Sequence, residues 1–261
     1  MATQAVAPSR TRLGATDRRD AWWRAPLATV LALTAFGIYS VVILVMGDHY
    51  LYTKGGSYYL SPFYSPDVRS WGLHVAVYGF FVAWVPAGFR LTCYYYRKAY
   101  WRSFFLSPPA CAVQGPRGRR YQGERKLPFI LLNAHRFFLY LSLVVVGFLW
   151  YDAGHAFVFR NPNGSLTFGV GLGSLIMLVN VILLSGFTFG CNSMRHLVGG
   201  RLDCFACSAA GRAQHRTWLG VSFLNRFHMQ WAWVSLFSVA LTDLYIRLAS
   251  TGVFTDPRII H

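Results

Sequence analysis

The sequence predicts an all-α integral membrane protein: a bundle of five transmembrane helices, with its N-terminus in the cytoplasm and its C-terminus outside. Three observations carry this expectation. Of 261 residues 54% are hydrophobic and only 13% charged, outside the range of a soluble domain. Five apolar runs reach about 20 residues, the length a helix needs to cross hydrocarbon that offers backbone groups no other partner. The basic residues fall between those runs, and largely on one side.

Residues 1–25 are a polar, basic tail without a short apolar core and small-residue cleavage site, so they read as a cytoplasmic tail rather than a signal peptide. The transmembrane domain is expected over residues 26–249 and an outer tail over 250–261. The first helix runs from about Pro26 to Met46. The second covers 71–96, with Pro86 as a kink because proline removes an intrahelical hydrogen bond. The third begins near Pro128, suited to a first helical turn, and ends near Tyr151. The fourth covers 166–194, where Gly169, Gly171 and Gly173 would let helices approach closely. The fifth covers 221–249.

Of the 25 Lys and Arg residues, 18 lie in the N-terminal tail, the 97–127 loop and the 195–226 loop, whereas the opposite loops and the C-terminal end, with Arg247, hold five. The positive-inside rule therefore sets the first three in the cytoplasm. Trp22, Trp23, Trp71, Trp101 and Tyr94-Tyr95-Tyr96 fall at helix ends, where amphipathic rings anchor at the interface. The net charge of +16 forms no single face or arm, which argues against nucleic acid as a partner.

With this topology all five cysteines lie on or near the cytoplasmic side, a reducing compartment in which structural disulfides are rare. Free thiols or metal ligands remain. Cys204 and Cys207 are the close pair, and a two-residue gap lets both sulfurs reach one metal or cluster iron; the alternative is two small apolar loop residues. Cys93 and Cys111 read as structural, and Cys191 as a reserve ligand.

His135 and His228 each lie seven residues into a helix, about 10 Å below the cytoplasmic boundary at 1.5 Å per residue. A histidine at that depth is either a ligand or a hydrogen-bonded core imidazole. His196 ends the fourth helix on the same side, and His215 reads as a loop surface residue. On the outer side His49, His74 and His155 form a second tier. Asp243 reads as a buried relay or ion-pair residue, Asp48 and Asp152 as solvated boundary carboxylates.

This inventory leaves three cofactors open. Two b haems need four histidines in two tiers, which leaves Cys204 and Cys207 without a role. A Rieske-type 2Fe–2S cluster needs two cysteines on one iron and two histidines on the other. A structural zinc at Cys204 and Cys207 would suit a non-redox membrane protein, although neither the inverted repeat nor the paired broken helices of transporters are present.

Five membrane helices with the amino end inside, a basic cytoplasmic surface and ligand-type histidines resemble the membrane anchor subunit of respiratory complex II, the succinate dehydrogenase and fumarate reductase group. The sequence is similar to an actinobacterial branch that carries a membrane-embedded Rieske-type cluster in place of haem. The resemblance implies that Cys204 and Cys207 bind one iron and two of His135, His196 and His228 the other. It implies flavoprotein and iron–sulfur partner subunits, a bacterial plasma membrane, a possible higher oligomer, and electron relay from succinate to menaquinone, with no succinate chemistry in this chain. Quinone contacts would come from Arg195, Arg226, Gln230, Trp231, Asn133, Arg136 and Tyr140. The loop with Arg102, Arg117, Arg119, Arg120, Arg125 and Lys126 would meet anionic lipid or dock the iron–sulfur subunit.

Overall fold

A computed structural model describes residues 12–69, 72, 78–116, 125–127, 129–200 and 204–260. Trp71, His74, Arg117, Arg119, Arg120 and Pro128 lie outside the described residues. The helices are α1 (Arg24–Met46), α2 (Tyr78–Thr92), α3 (Tyr94–Ser103), α4 (His135–His155), α5 (Leu172–Phe189), α6 (Asn192–Gly199), α7 (Ala209–Arg226) and α8 (His228–Thr251). A 3-10 segment, Phe129–Ala134, leads into α4.

Four helical segments are long and apolar enough to cross a membrane: Arg24–Met46, Phe129–His155, Leu172–Phe189 and His228–Thr251. At 1.5 Å per residue the 23 residues of α1 span about 35 Å, more than the hydrocarbon layer. α1 buries only Ile43 and Leu44, and Leu31, Ile38 and Val45 on its flank are exposed, as expected where lipid replaces protein. The second expected span is represented by α2, whose described length is 15 residues and which continues through Pro86.

Three expected spans are divided: the 71–96 segment breaks at Cys93, whose extended backbone separates α2 from α3. The 221–249 segment breaks at Phe227, which caps both α7 and α8, so a largely polar helix precedes the apolar one. The 166–194 segment begins as two short strands, β4 (Leu166–Phe168) and β5 (Val170–Gly171), and ends as α5 followed by α6. Hence Gly169 and Gly171 serve strand packing: a Cβ on Gly169 would meet the Phe159 ring, and one on Gly171 would meet Asp256 and Tyr59.

By its internal contacts the chain forms two units, residues 1–37 with 91–133 and residues 38–90 with 134–261. In the first, the N-terminal segment is tied to the 111–114 loop. Gly14 N donates to Gln114 O and Gln114 N to Ala15 O (2.9 and 3.0 Å), and Thr16 Oγ1 and Arg18 Nη1 bond Ala112 O and Cys111 O (2.8 and 3.0 Å). Trp101 packs on Phe105 and Phe129.

In the second unit α5 lies between α4 and α8. The end at which α4 begins, α5 finishes and α8 begins is here the proximal end; the other is distal. Asn180 and Ser238 join α5 to α8 by a 3.0 Å hydrogen bond within the apolar layer. The distal end is built by three antiparallel strand pairs: β1 (Leu51–Tyr52) with β2 (Tyr59–Leu60), β3 (Val158–Arg160) with β4, and β5 with β6 (Arg258–Ile260).

Buried polar groups fasten this end. Asp243 of α8, fully buried, accepts from Arg247 Nε (2.8 Å), Tyr39 hydroxyl (2.5 Å) and Ser61 hydroxyl. Arg247 also donates to Asp48 O (2.7 Å) and Ile43 O (3.4 Å), and Tyr64 hydroxyl donates to Ile43 O (2.8 Å). Ile43 lies in the last turn of α1, where its carbonyl has a 3.3 Å bond from Gly47 N, and α8 and the 48–64 loop add Arg247 and Tyr64 to that helix end. Asp243 is thus the ion-pair residue of its two expected readings. Asp152 differs from expectation: it is buried rather than solvated and accepts from Ser65 hydroxyl (2.5 Å).

Asp243→Ala leaves the Arg247 guanidinium buried without its carboxylate and is expected to cost about 3–5 kcal/mol. Thermal unfolding of the purified assembly should show a Tm far below that of the parent; an unchanged Tm would mean that the pair contributes nothing net.

Candidate redox centre

The proximal half of the second unit gathers polar and aromatic side chains from α2, α4, α5 and α8. His135 is the first residue of α4, and its Nε2 lies 3.0 Å from Sγ of Cys191, a buried thiol at the N-cap of α6. One of the two atoms carries the shared proton. The His135 imidazole stacks on Phe89 of α2, with centroids 4.7 Å apart and planes within 4°. Phe89 meets Phe187 of α5 edge-on at 5.4 Å, and Phe187 stacks on His228, the first residue of α8, at 5.0 Å. Two imidazoles therefore flank a pair of phenyl rings.

Arg90 carries a cation into the same region. Its guanidinium lies 4.6 Å from the Phe187 ring centre and donates to Ser235 Oγ (2.9 Å) and Ala232 O (3.2 Å) of α8. A guanidinium so placed gains from the ring quadrupole and from hydrogen bonds that stand in for lost water.

Trp231 follows His228 by three residues, on the same side of α8. Its ring lies against Gly186, where an added Cβ would come within 2.7 Å, and Nε1 is buried with no hydrogen-bond partner among the described residues. A buried indole N–H costs about 1–3 kcal/mol unless an acceptor reaches it.

Cys204 and Cys207 are elsewhere in the pattern of contacts. Their sulfurs are bonded to each other at 1.89 Å, contrary to the expected free thiols or metal ligands; a two-residue gap holds the Cα atoms 5.6 Å apart, within reach of a disulfide. Their loop packs on α7, where Phe205 meets His215 at 4.8 Å and His215 stacks on Trp218 at 5.7 Å. Among the described residues no group of three or more His, Cys, Asp or Glu side chains gathers as for a metal ion.

The remaining candidates divide. Arg195 ties α6 to α7, donating to Ser222 Oγ (3.1 Å) and Asn225 Oδ1 (3.5 Å) and lying over Trp218. His196, Arg136, Tyr140, Arg226 and Gln230 are exposed. Of the outer tier, His49 lies 3.9 Å from Asp48 and His155 sits between Tyr58 and Tyr151. Cys191 as the partner of His135 was visible only as a reserve. Arg90 was legible as a charge inside an apolar run, whereas Phe89 and Phe187 carried no signal beyond apolarity.

Apolar helices with a polar cluster at one end define a membrane-embedded subunit. Residues 24–252 match the family model for actinobacterial succinate dehydrogenase subunit SdhC, and the chain belongs to that family. It is also similar to a chain in the Mycobacterium smegmatis Sdh1 complex in the apo form, at 40% identity over 100% of both chains and a TM-score of 0.83. No curated protein matches. The chain is thus a membrane anchor subunit of complex II, part of an oxidoreductase, and the actinobacterial family implies a bacterial plasma membrane.

Gly186→Val would drive a branched side chain into the Trp231 ring, with an expected loss of about 1–3 kcal/mol. Thermal unfolding of the assembly checks this, and an unchanged Tm would show that the α5–α8 contact yields without cost.

Proposed function

We propose that this anchor relays electrons from the iron–sulfur subunit of succinate dehydrogenase to menaquinone, and that His135, Cys191 and His228 hold a Rieske-type 2Fe–2S group at its proximal end. The observation that carries the reading is the His135–Cys191 pair at 3.0 Å, a thiol and an imidazole side by side, the mixed donor chemistry such a group requires. The donors present fit in kind, with a second thiol to complete two sulfurs and two nitrogens. When bound, a group of this kind supplies one-electron transfer at a potential above that of an all-cysteine cluster.

The chain's own residues then have separate tasks. Phe89 and Phe187 fix the planes of the two imidazoles and keep water from them. Arg90 sets a positive charge beside the site. The buried Trp231 N–H is suited to donate to a quinone carbonyl, the acceptor it otherwise lacks. Under the positive-inside reading the 97–127 loop faces the cytoplasm, and its basic residues, Arg102, Arg125 and Lys126 among them, suit docking of the iron–sulfur subunit.

The test is iron and acid-labile sulfide content, with the low-average-g resonance of the reduced assembly. His135→Ala, His228→Ala and Cys191→Ser should each abolish the resonance, while Cys204→Ser with Cys207→Ser should retain it; Cys93→Ser and Cys111→Ser in parallel identify the second thiol. A full resonance in the first three variants, or a reduced b-haem band in the parent, would overturn the assignment. Trp231→Phe should raise KM for quinone about tenfold with the resonance intact, the scale of one lost buried hydrogen bond; an unchanged KM would remove Trp231 from the quinone site.

A further inference from the structure

At the distal end a cleft of about 640 Å3 opens between the 58–67 loop and the last three turns of α4. Its polar part is formed by Tyr58, Asp67, Asp152 and His155, and its apolar part by Val144, Gly147 and Phe148, with Tyr151 beside them. Along α4 the lining therefore changes from apolar to polar as the helix nears its C-terminus, over eleven residues or about 17 Å.

The chemistry of the polar part is specific. Asp152 is 7% exposed, so its carboxylate forms the cleft wall from within the protein. Asp67 adds a second carboxylate, with Tyr58 hydroxyl 3.5 Å from its Oδ2. His155 stands perpendicular to Tyr58 at 5.0 Å and nearly parallel to Tyr151 at 6.0 Å, which makes a three-ring wall. Burial and the nearby Asp67 push the Tyr58 hydroxyl up to about 12, so it stays a neutral phenol. The chain has 25 Lys and Arg residues, yet no Lys or Arg is among the described lining residues.

Two carboxylates and two phenol rings, with the His155 imidazole between them and no Lys or Arg among the described lining residues, form a receptor for a cation, and ring faces with nearby acids are a recurrent way to hold an ammonium group. A headgroup with net negative charge and no ammonium would be repelled. A quinone would find donors only in Tyr58 and His155, and its carbonyl oxygens would face two carboxylates. Below the polar part, an added Cβ on Gly147 would meet nothing within 4 Å, and Val144 is 57% exposed, so the apolar trough is open along the outer side of α4. We propose that the cleft binds a zwitterionic phospholipid with a primary ammonium headgroup, its ammonium between Asp152, Asp67 and the three rings and one acyl chain along Val144, Gly147 and Phe148. The site is independent of the electron relay.

Native mass spectrometry of the delipidated full assembly, with phosphatidylethanolamine, phosphatidylglycerol and menaquinone added separately, tests it. Phosphatidylethanolamine adducts should persist under conditions that strip phosphatidylglycerol. Asp152→Asn with Asp67→Asn should weaken retention about tenfold or more, as expected when a desolvated charge pair loses one partner. Gly147→Trp, which fills the trough and leaves both carboxylates in place, should do the same, with assembly of each variant verified by size exclusion. Equal retention of phosphatidylglycerol, displacement of phosphatidylethanolamine by menaquinone, or retention unchanged in assembled variants would each overturn the proposal.

Discussion

The pairing of Asp243 with Arg247 shows the constraint on which the rest of the structure depends. In hydrocarbon a charge or an unpaired backbone group has nowhere to turn but to other protein atoms. The pair sits one turn apart on α8 and recruits Tyr39 and Ile43 O from α1 and Ser61 and Asp48 O from the 48–64 loop. Satisfying one buried carboxylate thereby fixes the end of α1, the distal loop and α8 against each other. A hydrophobic pair of similar volume could be as stable; what the polar pair adds is a fixed register.

At the other end of the bundle the same constraint acts on different residues. His135 and His228 are the first residues of their helices, half-buried, with rings as neighbours. Each is stacked flat on a phenyl ring, and His135 also has Cys191. Arg90 is accommodated by α8 atoms and by the Phe187 face. Aromatic walls hold the imidazole planes with few rotatable bonds, so little side-chain entropy remains in them.

Composition and the basic loops made the membrane class legible, and four of the apolar runs correspond to helices of spanning length. Helix ends were less so. Apolar content continues across Phe227, and only the loss of helical dihedrals there separates α7 from α8. Gly169 and Gly171 resembled a helix-packing motif because glycine serves close approach in strands as well. His135 and His228, expected seven residues inside their helices, are the first residues of α4 and α8, because a 3-10 segment precedes one and the break at Phe227 the other. Cys191 could not be preferred over Cys204 and Cys207, since the spacing that suits two ligands of one metal equally suits a disulfide. Asp152 was misjudged for a related reason: its place near a helix end says nothing of the 58–67 loop that covers it.

The single-residue break at Phe227 has a mechanical meaning. One residue supplies two soft torsions and no slack, so α7 and α8 behave as two arms of a bent lever rather than as tethered bodies. A protein resting its weight on the polar arm would tilt the opening turn of the buried arm, and with it the imidazole of His228 on its phenyl bearing.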